Sequence, residues 1–109
     1  MTHKGTKTFI AQRATAVLML PLVLWFLFSV VANAGASHEE VRAWLAGPLN
    51  AVLMTALIVI GCVHMRIGLN EIIDDYIDGG SRGVVKLLNL FACLGAALLA
   101  LFSLFTLAA

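Results

Sequence analysis

The sequence predicts an all-α membrane protein with three transmembrane helices, on the strength of its composition and its hydropathy pattern. Hydrophobic residues make up 61% of the 109 residues and charged residues 12%, whereas a soluble domain has about 45–50% and about 25%. Three apolar runs lie near residues 14–32, 48–69 and 83–107, and about 20 apolar residues suffice to cross a hydrocarbon core. We therefore expect a single membrane-anchor domain over residues 1–109.

The first apolar run follows a polar segment that carries Lys4, Lys7 and Arg13. A secretory signal peptide has the same order of features, but its apolar core is only 7–15 residues long. Here the run extends over residues 14–34, so a spanning helix is the better interpretation. No Arg- and Ser-rich transit peptide precedes it, and this favours the inner membrane of a bacterium over an imported organelle protein.

Capping residues predict where the other elements begin. Thr6 or Thr8 is expected to cap the first helix. Ser37 followed by Glu40 fits a capping box, which predicts a short interfacial helix in the first connection. Pro48 suits the first turn of the second spanning helix. That helix is predicted to continue beyond the membrane to about residue 77, before two glycines interrupt it.

Lysine and arginine are concentrated in two parts of the chain. One of the seven, Arg42, lies in the first connection. The other six lie in the N-terminal tail and around the second connection: Lys4, Lys7, Arg13, Arg66, Arg82 and Lys86. The positive-inside rule therefore predicts that the N-terminus and the second connection are cytoplasmic.

Charge and cysteine content exclude two classes of function. The net charge of +1 provides no basic surface for a nucleic acid. Cys62 and Cys93 both lie in apolar runs and neither belongs to a CxxC pair, so a zinc site is not expected.

His64 is an imidazole within the second apolar run, about 7–8 Å from its predicted cytoplasmic end. An ionisable residue inside a membrane span is a functional-site hypothesis by default, and neutral imidazole is a good ligand for haem iron. Gly61 and Gly68 leave the same helix face nearly flat, as a planar macrocycle would need. A hydrogen bond to a neighbouring helix and a proton-relay role remain open as alternatives.

A haem with two histidine ligands would need its second ligand from another chain. His3 and His38 lie outside the apolar spans, on opposite sides. Met65 points away from His64, and Met54 lies about 15 Å further along the same helix. Met19 of the first span is expected at a depth similar to that of His64, and the sequence does not determine which way it faces. If His64 binds haem, this chain provides half of the site.

Three more polar residues lie at the same membrane edge. The phenol of Tyr76 can donate a hydrogen bond to a quinone carbonyl, and the adjacent Asp75 can orient it or relay protons. The alternative is a tyrosine that anchors the helix at the interface. Arg13 can pair with haem propionates or with a partner's acid, or it can simply extend to the headgroups.

Two motifs resemble those of a known family. Gln12-Arg13-Ala14-Thr15-Ala16 is similar to the QR-x-TA motif that opens the first span of the hydrophobic membrane anchor subunit of succinate dehydrogenase. His64-x3-Gly68, followed after six residues by Asp75-Tyr76, resembles the H-x3-G-x6-DY signature in the second span of that family. Many relatives have His-Trp shortly before the first motif, where Thr8-Phe9 stand here.

The resemblance implies partners, cofactors and residue roles. The anchor would pair with a second three-helix subunit, the cytochrome b subunit, and hold a flavoprotein subunit and an iron–sulfur subunit. His64 would be one axial ligand of a shared haem b. Tyr76, beside Asp75, would bind ubiquinone, and Arg13 would lie near the haem propionates or the quinone pocket. FAD and the iron–sulfur clusters would belong to the partner subunits.

The resemblance thus implies a membrane anchor subunit of succinate:ubiquinone oxidoreductase that is not catalytic by itself. One alternative is a haem-free structural anchor of a fumarate-reductase-type complex, because such anchors have a similar layout. The other is a small oligomeric proton channel or transporter.

Overall fold

A computed structural model describes residues 4–109, with the backbone alone for Lys4. His3, which the sequence places outside the spans, lies outside the described residues. The chain forms four helices in the order α1 (Lys4–Ala32), α2 (His38–Ala46), α3 (Pro48–Tyr76) and α4 (Ser81–Ala108). Helices α1, α3 and α4 are long and apolar enough to cross a membrane. The predicted fold class is confirmed.

Helix α1 begins earlier than the capping prediction requires. Thr6 and Thr8 lie inside the helix, which already includes Lys4, so the prediction that one of them caps it was wrong. The reason is that residues 4–12 contain no proline and only one glycine, so the helix continues into the polar segment. At 1.5 Å per residue its 29 residues extend about 43 Å, more than the hydrocarbon core alone requires.

Helix α2 is the short helix predicted in the first connection, and its capping box is present. The Ser37 hydroxyl accepts a hydrogen bond from the Glu40 backbone N–H at 3.2 Å, and the Ser37 N–H donates to Glu40 Oε1 at 3.3 Å. The ring of Trp44 stacks on Trp25 of α1 with 5.6 Å between centroids. This stacking ties α2 to the C-terminal end of α1.

The guanidinium of Arg42 joins α2 to the C-terminal end of α4. It donates to the carbonyl oxygens of Leu107 at 2.9 Å and Ala109 at 2.8 Å. The last carbonyls of a helix have no partner within the helix, and a cation suits the negative end of its dipole. Arg42 therefore caps α4 from a neighbouring element.

Helix α3 is central, because it packs against α1 on one side and α4 on the other, whereas α1 and α4 do not pack on each other in the described residues. The buried apolar residues are few, namely Ile73, Cys93 and Leu104. Most large apolar side chains lie on the outside, as expected for surfaces that face lipid or another membrane subunit. The start of α1, the end of α3 and the start of α4 share one end of the bundle, which we call the N-terminal end.

The turn between α3 and α4 contains the predicted glycine break. Gly79 has a φ of +76°, a conformation that glycine adopts without steric cost. Arg82 donates to the carbonyl oxygens of Ile77 at 2.8 Å and Asp74 at 3.1 Å. The helix ends at Tyr76, one residue before the predicted limit.

Candidate functional site

The contact between α1 and α3 contains three residue pairs in register, which we call the α1–α3 seam. The pairs are Gln12 with Gly68, Thr15 with His64, and Met19 with Gly61. The spacings of three and four residues on each helix place all members on facing sides, since residues so separated share one helix face. The seam puts His64 in the middle of a helix–helix contact.

The two glycines of the seam allow α1 to approach α3 closely. A Cβ on Gly68 would lie 3.1 Å from Nε2 of Gln12, and a Cβ on Gly61 would lie 3.5 Å from Cε of Met19. The expectation that these glycines present a flat surface to a macrocycle was therefore wrong for the isolated chain. They receive side chains of α1 instead, because antiparallel packing of two apolar helices favours small residues at the contact.

Thr15 and His64 form the polar contact of the seam. Thr15 Oγ1 lies 2.9 Å from Nδ1 of His64. The same oxygen lies within hydrogen-bonding distance of two backbone carbonyl oxygens of α1, those of Ala11 at 2.9 Å and Gln12 at 3.0 Å. No other hydrogen bond of the His64 ring is found in residues 4–109, so its Nε2 has no partner there. Sequence reasoning identified His64 and did not single out Thr15, whose signal was only its place in the first motif.

Gln12 has a buried acceptor without a donor. Its Oε1 is shielded from solvent and has no hydrogen-bond partner in the described part of the chain. A buried polar atom in this state costs free energy unless a further group satisfies it. The seam is therefore incomplete in the isolated chain, one turn from His64.

Arg13 lies on the outer side of α1, next in sequence to the seam. Its side chain is exposed, and its guanidinium carbon lies 5.3 Å from the ring centroid of Phe9. No acidic partner is found for it among residues 4–109. The guanidinium is consequently available to an acid or an anionic ligand outside the chain.

Asp75 and Tyr76 lie at the end of α3 and are exposed, Tyr76 to 82%. Neither forms a hydrogen bond or ion pair with His64 or Arg13 in the described residues. The structure thus places all four predicted site residues in the half of the bundle that holds the N-terminal end, and no hydrogen bond or ion pair joins them in the described residues. The two residues face whatever surrounds this chain.

A charged cluster that sequence reasoning missed lies at the N-terminal end. Asp74 pairs with Lys86 at 2.5 Å and, more distantly, with Arg82 at 3.8 Å. Beside it is a cavity of about 470 Å³. Its polar lining is contributed by Thr8, Arg66, Asn70, Glu71, Asp74 and Lys86. Asp74 precedes Arg82 by 8 positions and Lys86 by 12, so no local motif reveals these ion pairs between helices.

The described residues contain no group of three or more histidine, cysteine, aspartate or glutamate side chains that could hold a metal ion. A metal held at His64 would therefore draw its remaining ligands from a cofactor or another chain.

Comparison with known proteins bears on the identity of the chain. The family model described as "Succinate dehydrogenase/Fumarate reductase transmembrane subunit" matches residues 1–106. The succinate dehydrogenase hydrophobic membrane anchor subunit of Paracoccus denitrificans is 32% identical over 80 residues, which are 73% of this chain and 62% of that protein. No solved structure matches this chain.

Two further relatives have similar names. The succinate dehydrogenase hydrophobic membrane anchor subunit of Rickettsia bellii is 26% identical over 67% of this chain and 58% of its own length. The succinate dehydrogenase membrane anchor subunit of Reclinomonas americana is 27% identical over 79% of this chain and 74% of its own length. The matches thus span about three fifths of the first two relatives' lengths. The agreement of the family model with these relatives shows that the chain belongs to the family of succinate dehydrogenase/fumarate reductase transmembrane subunits.

Proposed function

We propose that the chain is the membrane anchor subunit of a succinate:ubiquinone oxidoreductase. It contributes one axial ligand, His64, to a haem b shared with a second membrane subunit, and it forms part of a ubiquinone site with Tyr76 and Asp75. Its partners are the cytochrome b anchor subunit, a flavoprotein subunit and an iron–sulfur subunit. Its location is the inner membrane of a bacterium, with the N-terminal end of the bundle at the cytoplasmic side.

The observation that carries this proposal is the state of the His64 ring. One nitrogen, Nδ1, lies 2.9 Å from Thr15, and the other has no partner in the described residues. A metal-ligating histidine typically uses one nitrogen for the metal while the other is held by a neighbouring group. The residues present therefore fit half of a haem site.

The unsatisfied oxygen of Gln12 supports the same interpretation. Its Oε1 is buried without a donor on the helix that contacts His64. A second membrane subunit, a bound cofactor or an ordered water would satisfy it. A buried acceptor without a donor is expected where a subunit is separated from the partner that would supply the donor.

When bound, the haem would supply one-electron redox chemistry. Arg13, which has no acidic partner in residues 4–109, would hold its propionates through charge-assisted hydrogen bonds or border the quinone pocket. Tyr76 would donate its phenolic hydrogen bond to a quinone carbonyl, which polarises that carbonyl for reduction. Asp75 would orient the phenol or deliver a proton from the aqueous side. The flavin and iron–sulfur chemistry would occur in the partner subunits.

The test is the haem spectrum of membranes that contain the chain and its partner subunits. We expect a reduced-minus-oxidised b-type spectrum for the wild type and its loss, or a large shift, in His64→Ala. Met65→Ala is a matched control, because Met65 is adjacent in sequence and faces outward with 42% exposure. An unchanged spectrum in His64→Ala would overturn the ligand assignment.

A haem-free structural anchor of a fumarate-reductase-type complex is the second candidate. One observation favours it, namely that His64 already has a hydrogen-bonding partner within its own chain. In that case the purified complex would contain no stoichiometric haem, and the only effect of His64→Ala would be a lower stability of the complex. Haem content per complex separates the two candidates.

A further inference from the structure

The hydroxyl of Thr15 has a single hydrogen, and two backbone acceptors compete for it. The carbonyl oxygens of Ala11 and Gln12 lie 2.9 Å and 3.0 Å from Oγ1, which is the usual position for a threonine that bonds back to its own helix. With the hydrogen directed at these carbonyls, only lone pairs of Oγ1 remain for α3. A group that contacts Oγ1 from α3 must therefore be a donor.

The group that contacts Oγ1 is Nδ1 of His64, at 2.9 Å. A neutral imidazole has one nitrogen with a hydrogen and one without. If Nδ1 has the hydrogen, Thr15 keeps its bond to the backbone and accepts a second bond from His64. If Nε2 has it, the hydroxyl must rotate towards Nδ1 and abandon the carbonyls. The first arrangement retains two hydrogen bonds and the second only one.

We propose that Thr15 is a positioning residue that holds His64 in the Nδ1–H tautomer and leaves Nε2 as the free ligand atom. The proposal rests on the proposed function, in which His64 ligates the haem. It assigns to the threonine of the first motif a role that acts through His64 and needs no contact with the haem.

The packing on both sides of the Thr15–His64 pair fixes the position of Thr15 relative to the imidazole. Gln12 and Met19 contact the glycines one turn above and below His64, at 3.1 Å and 3.5 Å from the places where a Cβ would lie. These contacts set the separation and register of α1 against α3. A short side chain such as threonine therefore reaches the imidazole, and the ring cannot rotate away without losing its partner.

The experiment compares Thr15→Val with Thr15→Ser in the assembled complex. Valine keeps the shape of threonine and removes the hydroxyl, whereas serine keeps the hydroxyl. Outer hydrogen-bonding partners of metal ligands typically contribute about 10–100-fold to metal affinity. We expect Thr15→Val to weaken haem retention by about that factor and to shift the ferric low-spin EPR signal, and Thr15→Ser to restore both. Haem per complex and EPR are measured on samples matched for subunit content.

Thr55→Val is the matched control. Thr55 also donates to a carbonyl of its own helix, Ala51 at 2.8 Å, but no hydrogen bond joins it to a histidine within residues 4–109. We expect wild-type haem retention and EPR for this variant. Equal losses in the Val and Ser variants of Thr15, or a Thr15→Val complex with wild-type haem and EPR, would overturn the positioning role.

His64→Ala separates this proposal from the proposed function. If His64→Ala loses the haem and Thr15→Val does not, only the role of Thr15 is wrong. If His64→Ala keeps the haem spectrum, the ligand assignment itself is wrong, and Thr15 cannot act through it. Thr15→Val could fail to assemble while Thr15→Ser assembles with wild-type haem. In that case the Thr15→Val complex is produced at a lower growth temperature and compared again. Failure to assemble there as well would refute a role of Thr15 that is confined to positioning His64.

Discussion

Asn89 of α4 and Asn70 of α3 join the two helices through a partly buried hydrogen bond of 2.9 Å, in which the Asn89 amide donates to the Asn70 side-chain oxygen. Asn89 also donates to the backbone carbonyl of Arg66 at 3.0 Å, and its own oxygen accepts from the thiol of Cys93 at 3.3 Å. Its side chain is thus fully satisfied although the residue is only 7% exposed. It binds α4 to α3 near the N-terminal end, where α3 also holds the candidate site residues.

Asn89→Ala should destabilise the contact between α3 and α4. Interhelical hydrogen bonds in membranes contribute on average about 0.6 and at most about 1.7 kcal/mol each. We expect the free energy of unfolding to fall by an amount near the upper value, because the bonds of Asn89 to Asn70 and to the Arg66 carbonyl are both lost. Thermal unfolding of the detergent-solubilised complex measures the change. Asn33→Ala is the control, since Asn33 directly follows α1 and the hydrogen bond found for its side chain in the described residues goes to the backbone carbonyl of Ser29 in that same helix. Equal destabilisation by the two variants would contradict the interhelical role.

Gly68→Ala should be harmful although alanine favours helix. The new methyl would lie 3.1 Å from Nε2 of Gln12, and overpacking of this kind costs about 1–3 kcal/mol against a gain in helix propensity of about 1 kcal/mol. We expect lower thermal stability and weaker haem retention. Gly83→Ala, where a Cβ meets nothing within 4 Å, should be neutral or slightly stabilising. A Gly68→Ala complex as stable as Gly83→Ala would refute the close approach of α1.

Arg82→Gln should loosen the turn between α3 and α4. The guanidinium donates to the carbonyls of Ile77 and Asp74 and to the carboxylate of Asp78. Because the side chain is 40% exposed, we expect a loss of only about 1 kcal/mol. Protease cleavage at the turn should accelerate roughly fivefold, and high salt should reduce the difference from wild type. Lys7→Gln, which removes an exposed charge from α1, should leave cleavage unchanged.

Tyr76→Phe should lower quinone reduction while leaving the partner subunits active. The variant keeps the ring and removes only the hydrogen-bond donor. The lost hydrogen bond to the quinone contributes about 1.4 kcal/mol, which corresponds to roughly a tenfold lower rate of quinone reduction. Ubiquinone reduction by succinate is compared with reduction of an artificial dye that accepts electrons before the membrane subunits. We expect the first activity to fall and the second to persist. An equal fall in both would mean that Tyr76 supports assembly.

Arg13→Gln should lower the midpoint potential of the haem. A cation near the propionates favours the reduced haem, which has one positive charge less than the oxidised form, so its removal favours the oxidised form. Arg13→Lys should retain most of the potential, and Lys7→Gln should retain all of it. Redox titration of the haem absorbance measures the change. A wild-type potential in Arg13→Gln would place this arginine away from the haem.

The fold followed from the sequence because each spanning segment is recognisable without its neighbours. A run of about 20 apolar residues forms a helix in lipid, since no other local structure satisfies its backbone there. The capping box at Ser37 and the proline at residue 48 act through adjacent residues, so the sequence also determined the beginnings of α2 and α3. The start of α1 escaped prediction because the polar segment before the apolar run contains no proline that would end the helix.

The candidate site was only partly predictable, for a different physical reason. His64 was evident because an imidazole in an apolar helix is conspicuous by itself, and its role as a haem ligand remains a prediction. Thr15 as its partner, and Asn70 as the partner of Asn89, depend on the relative position of two helices. That position is decided by how closely α1 packs on the glycines of α3, a sum of many small contacts between distant residues. The sequence alone determined which helices form and which residue types they present, and only the tertiary structure decided which side chains meet.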